Sequence, residues 1–321
     1  MIGYLVDNKQ KRKHRSYDFY IFIVIDFLLV GFLFNSEEDD IIATPTSIKN
    51  DHQSNSSSNN SNILSHNGSY KGTPWQNDRT VSVQTVAETK FARCDVHTVL
   101  SEDGKSKIND WIFMEEMDAV NVIVMNAHEQ KFVVFKQGKY AIPGETYSPV
   151  GGFIDNGEAP YESARREVME ELGMGSKRTL DALNNAVASN AATNVKDAFT
   201  VIPKAQRSVD NFGLAEGKVD EDDKDWVFLG RYRTAANRGG GFIYTYLLKN
   251  ALPILEGGGT VNFKITGDDE SQEIHFLTLG QTKSLLMNGQ FQEVKWAATI
   301  ALALLHLKSD CDQFCESEST T

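Results

Sequence analysis

The chain has 321 residues, of which 40% are hydrophobic and 24% charged, and its formal net charge is −12. This composition is ordinary for a globular protein, and the length suits one large domain or two small ones. Because an acidic protein repels a phosphate backbone, nucleic acid is not an expected partner. If the substrate is itself anionic, a bound divalent cation is the usual means of reversing the local charge.

The first 40 residues combine a basic cluster, an apolar run and an acidic end. As a helix the run at 19–34 would span about 24 Å, slightly less than a ~30 Å hydrocarbon core. This length, together with Asp26 inside the run, favours a signal anchor or a signal-peptide core over a helix of a membrane bundle. We expect an uncleaved, single-pass anchor with the carboxy-terminal domain luminal or extracellular; a soluble protein is the alternative.

Residues 41–79 are expected to form a disordered linker. The segment is rich in Ser and Asn and cannot bury enough apolar surface to offset its ordering entropy. Its N-x-S sequons, at Asn55, Asn59 and Asn67, matter only if the domain is luminal. A globular domain is predicted over 80–308, followed by a flexible tail at 309–321.

Hydrophobic periodicity and turn residues predict the elements of this domain. In chain order they are a hairpin of strands 120–125 and 131–135, a helix at 159–172, a loop insertion at about 175–225, a strand pair at 226–232 and 241–248, and two helices at 278–288 and 292–307. Gly289 would separate the last two helices.

The segment that carries chemistry is 152–174, GFIDNGEAPYESARREVMEELGM. Pro160 in the first turn and Gly173 past the end fit the predicted helix. An apolar stripe at i, i+3/i+4 spacing would pack against a sheet; it consists of Tyr161, Ala164, Val168 and Leu172.

Glu167, Glu170 and Glu171 stand at i, i+3 and i+4 on this helix, so their carboxylates should converge beside the stripe. Three like charges so close repel one another unless a divalent cation lies among them. Oxygen ligands without His or Cys favour Mg²⁺, or Mn²⁺, over zinc. The alternative is a solvated acidic helix face. A pairing of Glu158 with Arg166 could hold the preceding loop against the helix.

The spacing of these residues resembles the Nudix box, G-x5-E-x7-R-E-U-x-E-E-x-G-U with U aliphatic, at every specified position. The resemblance implies an α+β fold, a mixed β-sheet sandwiched between α-helices. It also implies Mg²⁺-dependent hydrolysis of a nucleoside diphosphate linked to a moiety X. It assigns catalysis and metal binding to Glu167, Glu170 and Glu171, with the carbonyl of Gly151 as a further ligand. The residues that hold or orient the box would be Gly152, Glu158, Arg166 and Gly173.

Segments outside the box are similar to the ADP-ribose and ADP-sugar pyrophosphatases of this family: residues 88–90, 241–251 and 288–305. This similarity implies an ADP-sugar substrate, such as ADP-ribose, cleaved to AMP and a sugar phosphate. The subfamily often uses a carboxylate after the box to activate water, for which Glu270 is the first choice and Glu273 the second. Two positions depart from the subfamily pattern, since Ser148 replaces a carboxylate and Ser189 a proline.

Further roles follow less directly from the same similarity. Arg231 and Arg233 could clamp phosphates, and Tyr147 could stack on a base. The expected partners are a small nucleotide, the membrane and, as an option, a second copy of the chain in a homodimer. The functional alternatives are a Nudix hydrolase of dinucleotides or nucleoside triphosphates, and a non-catalytic, membrane-tethered nucleotide-binding protein.

Overall fold

A computed structural model gives the structure of the chain, and it describes residues 64–65, 69–257, 259–260 and 272–318. The predicted anchor at 19–34 and the three sequons lie outside the described residues, as does Glu270. Within the described ranges, no helix is both long enough and apolar enough to cross a membrane.

The elements are labelled in chain order. The strands are β1 (Leu64–Ser65), β2 (Thr80–Glu88), β3 (Ala92–Leu100), β4 (Lys107–Glu116), β5 (Ala119–Asn126), β6 (Phe132–Lys139), β7 (Ile142–Ser148), β8 (Val150–Phe153), β9 (Met174–Gly175), β10 (Trp226–Ala235), β11 (Gly239–Pro253), β12 (Leu255–Glu256), β13 (Gly259–Thr260) and β14 (Gln272–Leu277). The helices are α1 (Pro160–Leu172), α2 (Lys177–Ala188), α3 (Val195–Val201), α4 (Leu279–Met287) and α5 (Val294–Glu318).

Most strands join one mixed sheet in the order β1-β2-β3-β4-β11-β5-β6-β14. Strand β5 pairs antiparallel with β6, which confirms the predicted hairpin, and parallel with β11. Strand β10 pairs antiparallel with β11, which confirms the second predicted pair. The short strand β8, which leads into the box, pairs antiparallel with β5. This pairing fixes the start of the box to the centre of the sheet.

Alternation along β5 supplies both faces of the sheet with core residues, because successive side chains of a strand point to opposite faces. On one face Val120 and Val122 pack with α1. On the other face Ile123 and Met125 pack with α5. The mixed sheet between helices, expected from the resemblance, is therefore confirmed.

Helix α1 has the ends and the buried face that its sequence predicts. Pro160 is its first residue, and Gly173 ends it in the left-handed conformation, with φ 61°. The N–H of Gly173 donates to the carbonyl of Met169 at 2.9 Å, and an L side chain would be strained at that φ. Along the stripe, Ala164 and Val168 are completely buried. Burying such side chains is what fixes the rotation of α1 against the sheet.

The prediction of a loop insertion at 175–225 is wrong in part, because the segment contains α2 and α3. The side chain of Ser176 accepts a hydrogen bond from the backbone N–H of Thr179 and so begins α2. The many short polar residues of this segment made its apolar face difficult to recognise in the sequence. In the structure this face forms a separate small core, in which Leu183 and Ala198 pack with Met169 of α1. Tertiary packing therefore overrides a weak local signal.

Two predicted boundaries also differ from the structure. The end of the predicted linker is held in place: the N–H of Trp75 donates to Oε1 of Glu115 at 2.5 Å, and that of Lys71 donates to the carbonyl of Lys90 at 3.3 Å. Helix α5 continues to Glu318, into the predicted tail, since 308–318 contains no glycine or proline to end it.

Candidate active site

The guanidinium of Arg166 lies among three carboxylates of the box. Its Nε and Nη2 donate to the two oxygens of Glu158, each at 3.0 Å. Its Nη1 donates to Glu167 Oε1 at 2.6 Å and to Glu170 Oε2 at 3.1 Å. Arg166 thus acts as an internal counter-cation for the acidic face of α1.

Arg166 and Glu158 also hold the box loop by its backbone. Nη2 of Arg166 donates to the carbonyl of Phe153 at 3.0 Å, and Glu158 Oε2 accepts from the N–H of Asp155 at 3.2 Å. The loop is therefore tied to α1 at both ends. This is the pairing that the sequence suggested.

Glu167 is the most deeply buried of the predicted ligands. Its carboxylate lies directly against Gly152, where any Cβ would overlap its oxygens. Burial raises the pKa of Glu167 to about 7, although neighbouring Arg166 lowers it. A side chain at 152 would displace this carboxylate, because Glu167 fills the space beside Gly152.

Glu170 and Glu171 lie nearer the surface. The side chain of Glu170 is 25% exposed, and Glu171 Oε2 accepts a long hydrogen bond, at 3.4 Å, from the N–H of Gly151. Gly151 is itself constrained, since a Cβ would overlap the carbonyl oxygen of Val120 in the paired strand. The structure thus brings the predicted ligand positions to one end of α1 and the adjoining strand β8.

These carboxylates do not form a closed metal site in this conformation. In the part of the chain that the structure describes, no three Asp, Glu, His or Cys side chains are grouped closely enough to hold an ion. The reason is that Arg166 draws Glu167 and Glu170 onto itself. The donor set nevertheless fits a hard divalent cation: every donor is an oxygen, and the box carboxylates outnumber the single guanidinium.

Arg231 and Tyr147, predicted to bind substrate, are engaged in internal contacts. The guanidinium of Arg231 donates to Asp210 Oδ2 at 2.7 Å and to the carbonyl of Ala215 at 2.9 Å. The ring of Tyr147 packs against Phe291, on the α5 face of the sheet and away from α1. Each side chain therefore helps to hold the fold together, and both predicted roles stay predictions.

Arg233 lies between aromatic rings rather than open to solvent. Its guanidinium carbon is 5.2 Å from the ring centre of Trp75, 5.4 Å from that of Phe113 and 4.7 Å from that of Phe242. Burial lowers the pKa of this arginine, and the nearby carboxylate of Glu115 raises it. A guanidinium held this way is fixed in direction.

The structure describes only the second of the two predicted water-activating carboxylates. Glu270 lies outside the described residues. Glu273 is exposed in β14, where its Oε2 lies 3.3 Å from His275 Nε2. The base therefore stays a prediction.

A small cleft that the sequence did not predict lies beside the box loop. Its lining comes from five separate stretches of the chain: Lys71, Gly72, Thr73, Met117, Asp118, Ile154, Asp155, Asn156, Arg207 and Ala215. Of these, Ile154, Asp155 and Asn156 lie in the box segment that the sequence singled out, and the others did not stand out in the sequence. Ile154 and Ala215 also belong to the core beneath α1, so the cleft lies on the same face of the sheet as the box helix.

Comparison with known proteins gives the following matches. A family model described as the NUDIX domain matches residues 115–227. A solved structure titled "Crystal structure of ADP compounds hydrolase" matches with a TM-score of 0.47 and 16% sequence identity, covering 74% of this chain and 98% of that chain. No curated protein matches the chain.

Proposed function

We propose that this chain, whose residues 115–227 match the NUDIX domain model, is a Nudix hydrolase that cleaves a phosphoanhydride bond in a nucleoside diphosphate linked to X, with Mg²⁺ as cofactor. The substrate we propose is an ADP-sugar such as ADP-ribose, giving AMP and a sugar phosphate. The observation that carries the proposal is the set of box carboxylates around Arg166, packed against Gly151 and Gly152.

The residues that would hold the ion are Glu167, Glu170 and Glu171, with the carbonyl of Gly151. A bound Mg²⁺ would neutralise the diphosphate oxygens and acidify a bound water. The protein's own part is to keep these donors close together. Arg166 and Glu158 fix α1 against the loop, and burial positions Glu167 beside the glycine pair.

The proposed reaction forms one bond and breaks one. The oxygen of a water attacks one phosphorus, and the bridging P–O bond of the anhydride breaks, so the bridging oxygen leaves with the other phosphate. The proton lost by the water has to pass to a base; Glu270 is the carboxylate proposed for this step from the sequence. Position and charge supply most of such a rate enhancement.

The serine at position 148 is relevant to the subclass of Nudix hydrolase to which we assign the chain. Where the ADP-sugar pyrophosphatases have a carboxylate, Ser148 is buried and its Oγ accepts from Gln137 Nε2 at 2.5 Å. A neutral pair thus replaces a charge next to the box. We infer that the ion here depends more heavily on the three glutamates of α1.

The test is a substrate panel with the full-length chain and Mg²⁺: ADP-ribose, other nucleotide sugars, dinucleotides and nucleoside triphosphates. We expect ADP-ribose or a related ADP-sugar to have the highest kcat/KM. Glu171→Gln should lower kcat by about 10²–10³-fold with the fold intact, the scale for losing one group that stabilises transition-state charge. Glu129→Gln removes an exposed carboxylate outside the box and serves as the matched control. Unchanged turnover in Glu171→Gln would refute the assignment of the ligands.

The membrane anchor is a separate proposal, which rests on the sequence of residues 19–34 and the basic cluster before it. Glycosylation of Asn55, Asn59 or Asn67 in a secretory host would support a luminal domain. Unmodified sequons together with protease accessibility from the cytosol would contradict it.

A further inference from the structure

The start of the box is stacked on a hairpin turn from a distant part of the chain. The ring of Phe91 stacks on that of Phe153, with ring centres 5.6 Å apart and planes inclined by 17°. Phe91 lies in the turn between β2 and β3, whereas Phe153 is the last residue of β8. The two residues are 45% and 44% exposed, and neither is a member of the three apolar cores formed by the described residues. Core packing therefore does not explain this contact.

The turn that carries Phe91 is closed by hydrogen bonds of Thr89. The N–H of Thr89 donates to the carbonyl of Ala92 at 2.8 Å, and Oγ1 of Thr89 accepts from the N–H of Phe91 at 3.3 Å. Nζ of Lys90 lies 4.3 Å from the centre of the Phe91 ring, and the carbonyl of Lys90 accepts at 3.3 Å from the first N–H of the strap, residues 71–73. The Phe91 ring is thus carried by a backbone whose conformation is defined.

Phe153 connects this turn to the acidic face of α1. Its carbonyl accepts from Nη2 of Arg166 at 3.0 Å and from Oγ of Ser163 at 3.4 Å. The same guanidinium donates to Glu167 at 2.6 Å. The residue before Phe153 is Gly152, against which the carboxylate of Glu167 lies. A shift of the Phe153 backbone would therefore move both neighbours of that carboxylate, the guanidinium and the glycine.

We propose that Phe91 is a positioning residue of the box: by stacking on Phe153 it fixes the backbone that carries Gly152 and the carbonyl bound by Arg166. The inference rests on the proposed function and deepens it, because it names a residue outside the stretch that matches the NUDIX model, 115–227, that keeps the proposed metal ligands in place. Donors held close to their productive geometry raise the rate, and a loosely supported site loses it.

The first test needs neither substrate nor metal. Amide hydrogen exchange of the full-length chain reports how often residues 152–156 open. We expect exchange there to be about 3–10-fold faster in Phe91→Ala, the scale of one aromatic pair, and unchanged in α2 and α3, which pack in a separate core. Phe91→Tyr keeps the ring and should exchange like wild type. Phe212→Ala is the matched control, since Phe212 is 82% exposed in the insertion.

The second test is kinetic and uses the substrate of the panel that wild type cleaves fastest. Phe91→Ala should lower kcat about 3–10-fold and raise the Mg²⁺ concentration for half-maximal rate, with KM unchanged at saturating Mg²⁺. Phe153→Ala should have the same effect, and the double variant should be no worse than either single variant, because both changes remove one contact. A purely structural role would lower the free energy of unfolding and leave the Mg²⁺ requirement of the folded protein unchanged.

The two tests separate the inference from the proposed function. If wild type is active, an exchange rate at 152–156 or a Mg²⁺ requirement that is unaltered in Phe91→Ala overturns the inference alone. If exchange is faster in Phe91→Ala but wild type hydrolyses no anhydride of the panel, the proposed function alone is overturned.

Discussion

Arg166 holds Glu158, eight residues before it, by two parallel hydrogen bonds, each at 3.0 Å. The side chain of Arg166 is 16% exposed and that of Glu158 13% exposed, so the pair is largely removed from water. A planar guanidinium matches a carboxylate at two points, whereas an ammonium meets it as a single charge. The geometry of the pair, and not charge alone, therefore fixes the loop on α1.

We expect Arg166→Lys to lower the free energy of unfolding by about 1.5–3 kcal/mol, the scale of a lost hydrogen bond to a charged group. Lysine retains the positive charge, so a loss of stability would come from the lost two-point hydrogen bonding to Glu158. Urea denaturation measures it. Arg178→Lys, at a half-exposed surface pair, should change stability by about 1 kcal/mol or less. Equal stability of Arg166→Lys and wild type would show that the two-point pairing is unimportant.

The contact of Gly152 with Glu167 gives a second prediction. Gly152→Ala inserts a methyl group where the carboxylate lies, and a displacement of about 1 Å at a reacting centre can cost about 10²-fold in rate. We expect a loss of kcat on this scale and a higher Mg²⁺ requirement, with the circular dichroism spectrum unchanged. Gly138→Ala is the matched control, since a Cβ there meets nothing within 4 Å. If both variants turn over substrate equally, the contact has no catalytic consequence.

The box and its helix could be predicted because their determinants are local. Pro160 and Gly173 mark the ends of α1, and the stripe through Ala164 and Val168 predicts its buried face. The strand β5 could also be predicted, since its apolar run supplies side chains to both cores.

The cleft and the partners of the arginines could not be predicted, because they depend on contacts between distant segments. Lys71, Asp118 and Arg207 meet only once the strap, the sheet and the insertion are in place. Arg231 resembles a phosphate-binding residue in the sequence, but it pairs with Asp210 and also donates to a backbone carbonyl, that of Ala215. A hydrogen bond to a backbone carbonyl cannot be predicted from the spacing of side chains in the sequence.

That bond yields a third prediction. Arg231 anchors the insertion through Ala215 and Asp210, and its side chain is only 23% exposed. We expect Arg231→Met to lower the free energy of unfolding by about 1.5–3 kcal/mol and to speed amide hydrogen exchange at residues 208–217. Arg238→Met, which removes an arginine stacked on Trp111 at the nearby turn, is the control. Exchange that is unchanged in Arg231→Met would mean that other contacts hold the insertion.

The fourth prediction concerns pH. Asp223 is 3% exposed, and its Oδ2 accepts from Ser176 Oγ at 2.5 Å and from Tyr161 Oη at 3.3 Å. Burial raises the pKa of its carboxyl, although both hydrogen bonds lower it. The folded chain therefore holds this proton more tightly than the unfolded chain does. The resulting stability is fully present below the unfolded pKa, about 3.9, and is lost as pH rises through the folded pKa.

The Asp223→Asn variant cannot ionise at this position, yet it keeps an oxygen that accepts from Ser176. The unfolding free energy of wild type minus that of Asp223→Asn should therefore fall as pH rises from about 4, and level off above the folded pKa. Urea denaturation across this range measures the difference. Asp222→Asn, at a neighbouring side chain that is 78% exposed, controls for the removal of a charge. A difference that stays flat with pH would mean that the folded chain does not hold the Asp223 proton more tightly than the unfolded chain.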